Sequence, residues 1–190
     1  MSTDIAENDN VDVDEERRDF IHIATGMTAA AGAGLLAWPF VDQMNPASDT
    51  KAASSLDVDV SKVVEGSEIR VLIGGKPFFI RHRTAAEIAS AQSANLSGMR
   101  DPEEDADRLV PTPSGEVNPS ILVISGACTH LGCVPVGPGG GNLGDFGGWY
   151  CPCHGSHYDT SGRIRKGPAP SNLPVPTYRY VSDTVVNISL

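Results

Sequence analysis

All four cysteines of this 190-residue chain lie in two short stretches, "CTHLGC" at 128–133 and "CPCHGSHY" at 151–158, together with three of its five histidines. Donors concentrated in this way constrain the fold more than any other feature of the sequence. Cys128-x-His130 and Cys151-x-x-His154 each offer one thiolate and one imidazole, with twenty residues between His130 and Cys151. Two sulfurs and two nitrogens serve a single centre only if the fold brings both loops side by side. Tetrahedral zinc accepts such a set. So does a two-iron, two-sulfide cluster with the cysteines on one iron and the histidines on the other. Zinc knuckles usually group like ligands in pairs. Here each loop gives one of each kind, which suits a centre with two metals.

Cys133 and Cys153 are left over, each within five residues of the ligand cysteine in its own loop. They are free thiols, further metal ligands, or a bonded pair. A bond would close a 21-residue segment and, in the chain-entropy view, add about 3 kcal/mol. It requires an oxidising compartment.

The N-terminal region bears on that compartment. Residues 20–41, "FIHIATGMTAAAGAGLLAWPFV", contain no Asp, Glu, Lys or Arg. As a helix this run spans roughly 33 Å, against about 30 Å of bilayer hydrocarbon. Trp38 and Phe40 suit the far interface, and Pro39 is placed to end the helix. Gly26, Ala30 and Gly34 form a small-residue face that another membrane helix could approach closely. A cleaved signal peptide would have a basic start; residues 1–19 instead carry eight acidic and two basic side chains. That tail holds −6 of the chain's net −10 and reads as disordered and solvated. No basic stripe points to nucleic acid. Arg17 and Arg18, just ahead of the apolar run, resemble a twin-arginine export signal. Simple positive-inside anchoring predicts the same orientation. The N-terminus is then cytoplasmic and everything after residue 41 lies outside, where a disulfide can persist.

Residues 42–56 are small and polar and read as a neck. Short β-like runs follow at 56–60, 68–73 and 76–82, with Gly74-Gly75 marking a hairpin. Thr84 and Glu87 stand in capping-box spacing and predict a short helix within 83–92. The stretch 99–120 reads as a polar excursion, 121–127 as a buried strand leading into the first loop, and 174–190 as closing antiparallel strands. The predicted fold is mainly β. It has an acidic tail (1–19), a single transmembrane helix (20–41), a flexible neck (42–56) and an antiparallel β head (57–190) with one inserted helix. The ligand-bearing part of the head covers about 126–171.

The anchor, the neck, the β head, "CTHLGC", "CPCHGSHYD" and "GRIRKGPAP" at 162–170 together resemble the bacterial Rieske iron–sulfur proteins of cytochrome bc1 complexes. The resemblance implies one Rieske-type 2Fe-2S cluster, with Cys128 and Cys151 on the inner iron and His130 and His154 on the outer. It implies a head in the periplasm, anchored in the inner membrane, and a bond between Cys133 and Cys153. The hydroxyls of Ser156 and Tyr158 would donate to a bridging sulfide and to a cysteine sulfur, favouring the reduced state. Leu131 and Pro168 would cover the cluster. His154 would meet ubiquinol, with electron and proton transfer coupled at His130 or His154. Ala52, Ala53 and Ser54 would form a hinge.

The implied partners are a cytochrome b subunit, a c-type cytochrome subunit and ubiquinol, in a dimeric membrane complex. The chain would act only as a subunit of a quinol–cytochrome c reductase, since it carries no haem-attachment motif. Segments 111–120 and 137–144 look like loop expansions on the mitochondrial pattern. His157 finds no open ligand position and reads as structural; His22 and His82 read as interface and strand residues. An oxygenase component would need further histidines and a second domain. A soluble Rieske ferredoxin would lack the anchor and usually the extra cysteine pair.

Overall fold

The computed structural model describes residues 14–45, 47 and 54–190. The chain divides into two units between Ala47 and Ser48.

The first unit is one helix, α1 (Glu15–Asp42). Asp14 caps it, its carboxylate accepting from the Arg17 amide at 3.3 Å. Glu15 and Glu16 then place negative charge at the positive end of the helix dipole. Thr28 returns its hydroxyl to the Ala24 carbonyl at 2.8 Å, so its polar group costs little in an apolar setting. Phe20, Ile23, Met27, Leu35, Leu36, Trp38 and Phe40 are each more than 60% exposed. A helix that is apolar all round and long enough to cross a bilayer suits lipid rather than water. Two boundaries differ from the sequence reading. Arg17 and Arg18 stand in the first turn rather than ahead of the helix, and Pro39 lies inside it. A proline removes only its own amide, and the ladder resumes with Gln43 N–H donating to the Pro39 carbonyl.

The second unit is the β head. Three antiparallel three-stranded sheets are formed by the described residues, ordered β1-β9-β8, β2-β3-β4 and β5-β6-β7. Strand β1 (Ser55–Asp59) pairs with β9 (Val185–Ser189), which pairs with β8 (Thr177–Ser182). Strands β2 (Glu68–Ile73) and β3 (Lys76–His82) form the hairpin expected at Gly74-Gly75, where both residues have positive φ. Strand β4 (Ile121–Ser125) completes that sheet. The helix α2 (Ala85–Gln92) carries the complete capping box, with Thr84 and Glu87 reciprocally bonded. Ser55 and Leu56, given to the neck by sequence, belong to β1, and Leu190 N–H donates to the Ser54 carbonyl. Ala52 and Ala53, and the acidic tail up to residue 13, lie outside the described residues.

The β2-β3-β4 sheet is the middle layer, and strand alternation divides its side chains between two cores. Phe78, Ile80, Ile121 and Val123 face a core shared with Val58, Tyr178, Val186 and Ile188. Phe79, Leu122 and Ile124 face a second core shared with Cys128, Trp149, Cys151, Tyr158 and Leu173. The second core is the floor of the functional site. Its third sheet, β5 (Gly147–Cys151), β6 (Ser156–Asp159) and β7 (Ile164–Lys166), lay unread in the sequence.

Candidate metal centre

Both Cys/His loops grow from strand ends. The first leaves β4 and turns at Cys128; the second connects β5 to β6. They close alike. Gly132 N–H donates to the Cys128 carbonyl at 2.8 Å, and Gly155 N–H donates to the Cys151 carbonyl at 3.0 Å. In each loop the closing residue lies four positions after the cysteine and has positive φ, 78° at Gly132 and 74° at Gly155. Side chains with a Cβ rarely adopt that region. Two equivalent turns thus place a cysteine at the base and a histidine two or three residues on.

Cys128 and Cys151 are buried and within hydrogen-bonding reach of each other. The rings of His130 and His154 meet edge to face, with centroids 4.6 Å apart. His130 Nδ1 is buried without a hydrogen-bond partner. A buried polar atom without a partner is costly, and coordination to a metal would satisfy this one. His154 itself is exposed, at the surface of the molecule. A pair of sulfurs and a pair of imidazoles, one of each from either loop, make up the donor set of a Rieske cluster. Cys133, Cys151 and Cys153 also cluster, with sulfurs within 4.8 Å of one another. That trio contains no imidazole and leaves His130 unpaired, so the two-cysteine, two-histidine set accounts for more of the site. Cys133 and Cys153 stand here as thiols, side by side.

Hydroxyls converge on Cys128. The Tyr158 hydroxyl lies 3.2 Å from its sulfur, and Ser156, one turn of chain beyond Cys151, is buried close by. Burial pushes the Cys128 thiol up, but the bonds from Tyr158, the His130 backbone, Cys151 and Ser156 outweigh it and the net shift is downward. Burial pushes Cys151 up to about 12. Burial, with Cys128 beside it, raises Tyr158 well above its ordinary value, so this hydroxyl keeps its proton and stays a donor. Thr129, not singled out by sequence, sits 3.4 Å from the Tyr158 hydroxyl and gives its own proton to the Ser171 carbonyl at 2.7 Å.

The other expected residues fall as follows. Leu131 is 70% exposed, and Pro168 is exposed beside buried Ala169. His157 takes a structural place, its Nδ1 accepting from the Asp145 amide at 3.0 Å. Sequence reasoning missed the support beneath the site. Trp149, stacked on Phe79, donates from Nε1 to the fully buried carboxylate of Glu68 at 2.7 Å. It also missed Arg83, Arg108 and Arg163, all buried and all paired. The excursion 99–120 contributes Asp105 and Glu103 to those pairs. Nothing local distinguishes these charges from solvated ones.

Loops of this kind on a three-sheet β framework define an iron–sulfur carrier. A family model described as "Rieske [2Fe-2S] domain" matches residues 56–179, and one described as "Ubiquitinol-cytochrome C reductase Fe-S subunit TAT signal" matches residues 7–47. The ubiquinol–cytochrome c reductase iron–sulfur subunit of Blastochloris viridis is 51% identical, over 90% of this chain and 92% of that protein. The subunit of the same name from Rhodospirillum rubrum is 51% identical, over 92% of each chain. That of Bradyrhizobium diazoefficiens is 48% identical, over 90% of this chain and 93% of its own. This chain belongs to the family of Rieske iron–sulfur subunits of ubiquinol–cytochrome c reductase. A 2Fe-2S cluster is the cofactor that its Rieske domain implies.

Proposed function

We propose that this chain is the electron-transfer subunit of a cytochrome bc1 complex, taking one electron from ubiquinol and passing it to a c-type cytochrome subunit. A cytochrome b subunit is its other partner, and the assembled complex is a dimer. The observation that carries the reading is the pairing of the His130 and His154 rings across the two loops, with a buried, unpartnered His130 Nδ1, beside the pairing of Cys128 with Cys151. Those four residues hold the cluster. When bound, it supplies a one-electron couple whose potential depends on hydrogen bonds to sulfur. Tyr158 and Ser156 direct hydroxyl protons at the sulfur side and favour the reduced state. His154, exposed at the surface, presents a ring nitrogen to the quinol and takes up its proton there. A bond between Cys133 and Cys153 staples the two loops together.

The apolar helix α1 anchors the chain in the inner membrane, with the twin arginines Arg17 and Arg18 directing export and the head in the periplasm. The match to a family export-signal model over residues 7–47 supports this. A neck around residues 43–54, including Ala52 and Ala53, lets the head move between its two partners.

The test is spectroscopic. Full-length protein in membranes should be silent to electron paramagnetic resonance when oxidised and give a [2Fe-2S] signal when reduced. Tyr158→Phe removes one donor to a charged sulfur, a bond worth about 1.5–3 kcal/mol. At 59 mV per tenfold change, the midpoint should fall by roughly 60–130 mV if the whole bond is differential, and by less otherwise. Stoichiometric zinc with no iron signal would overturn the assignment.

A further inference from the structure

The turn at 167–170 lies against the second ligand loop: a Cβ added to Gly167 would stand 2.4 Å from the Gly155 carbonyl oxygen. The turn's own peptide groups are held from outside by residues of the polar excursion 99–120. One guanidinium nitrogen of Arg100 donates to the Gly167 carbonyl at 2.9 Å and to the Ala169 carbonyl. Next to it, the Asp101 carboxylate accepts from the Asn172 amide at 2.9 Å, and the Asp101 carbonyl accepts from the Asn172 side chain at 3.1 Å. The contacts from Arg100 join residues 67 and 69 positions apart. On its inner side, Ala169 N–H donates to Ser156 Oγ at 3.2 Å. Once that oxygen has accepted, the hydroxyl proton is free to point elsewhere, and the functional reading above aims it at the sulfur side of the cluster.

We propose that Arg100 is a positioning residue for the cluster site: by gripping the Gly167 and Ala169 carbonyls, on either side of the 168–169 peptide, it fixes the Ala169 N–H that bonds Ser156, and through it the Ser156 hydroxyl toward the sulfur ligands. This deepens, and rests on, the iron–sulfur reading above. Arg100 bonds the turn, not the four ligand residues. It acts through a relay of two hydrogen bonds, and each link has its own expected signature. A guanidinium spans both carbonyls from one nitrogen within a planar fork, whereas an ammonium is a compact point charge on a flexible stem. Charge alone would act through space and would be kept by lysine. A positional effect would be kept only in part, and would vanish once the Ser156 hydroxyl is gone.

The experiment is a double-mutant cycle on the full-length chain in membranes, read as the cluster's midpoint potential by redox titration, with iron and sulfide content alongside. Arg100→Gln should retain the cluster and lower the reduction equilibrium constant about threefold, ~30 mV at 59 mV per tenfold. Arg100→Lys should recover less than half of that loss. In a Ser156→Ala background, Arg100→Gln should produce no further shift. Equal shifts in both backgrounds with full recovery by lysine, or no shift at all, overturn the proposal. Should Arg100→Gln lose the cluster, Arg100→Lys compared in the two Ser156 backgrounds decides by the same criterion. Wild-type protein without a [2Fe-2S] cluster removes this proposal and the functional reading together. A normal cluster with unmoved potentials removes only the role of Arg100.

Discussion

The two faces of the β2-β3-β4 sheet are built on opposite plans. One face packs aliphatic and aromatic side chains against β1, β8 and β9. The other face supports the metal loops. Beyond its apolar floor it is framed by buried charge: Arg83 bonds Asp105 at 2.6 Å, Arg163 bonds Asp159 at 2.9 Å, and Arg108 bonds Glu103, the Ser161 carbonyl at 2.8 Å and the Leu173 carbonyl at 2.6 Å. Non-directional packing tolerates small errors of position. Hydrogen bonds and ion pairs do not, because distance and angle both count. The side that must hold loops in one arrangement uses the directional interactions.

That contrast can be broken most severely at Asp105. Removing one partner of a buried pair strands the other charge, typically at 3–5 kcal/mol. Asp105→Ala should therefore destabilise the head by about that much in urea titrations and release the cluster early in the transition. The same residue gives an acid signature. Burial raises the Asp105 pKa, but bonds from Arg83 and Ser161 outweigh it and leave it below the ordinary carboxylate value. Its contribution is therefore complete above the ordinary value of 3.8 and lost as pH falls through its lower folded value. The urea midpoint of the wild type should drop in that range more steeply than that of Asp105→Asn. Parallel curves would dissociate Asp105 from the acid response.

A smaller effect should come from Cys133→Ser, Cys153→Ser or both. If the two sulfurs are bonded, each variant loses about 3 kcal/mol, the double variant loses no more than either single, and the cluster becomes labile. Additive losses would mean that the two cysteines act separately. The least effect should come from the apolar face. Ile80→Val, in a fully buried position, should cost ~0.5–1.5 kcal/mol with no change in midpoint potential. A potential shift there would show that the two faces are not independent.

Much of this division follows from what a sequence can encode locally. The β2–β3 hairpin, the capping box of α2, the apolar helix and the Cys/His spacing within each ligand loop all arise from residues within a few positions of one another. Period-2 alternation, turn glycines and cap hydrogen bonds act at that range, so each was legible. The tertiary structure decided the rest. Glu68 meets Trp149 across 81 residues, Arg108 meets Leu173 across 65, and Arg100 meets Ala169 across 69. In sequence, "RDPEEDADR" at 100–108 has the composition of a solvated loop, yet Asp105 and Arg108 are almost fully buried. A charge is buried or solvated according to whether a partner from a distant segment reaches it, and no local pattern carries that information.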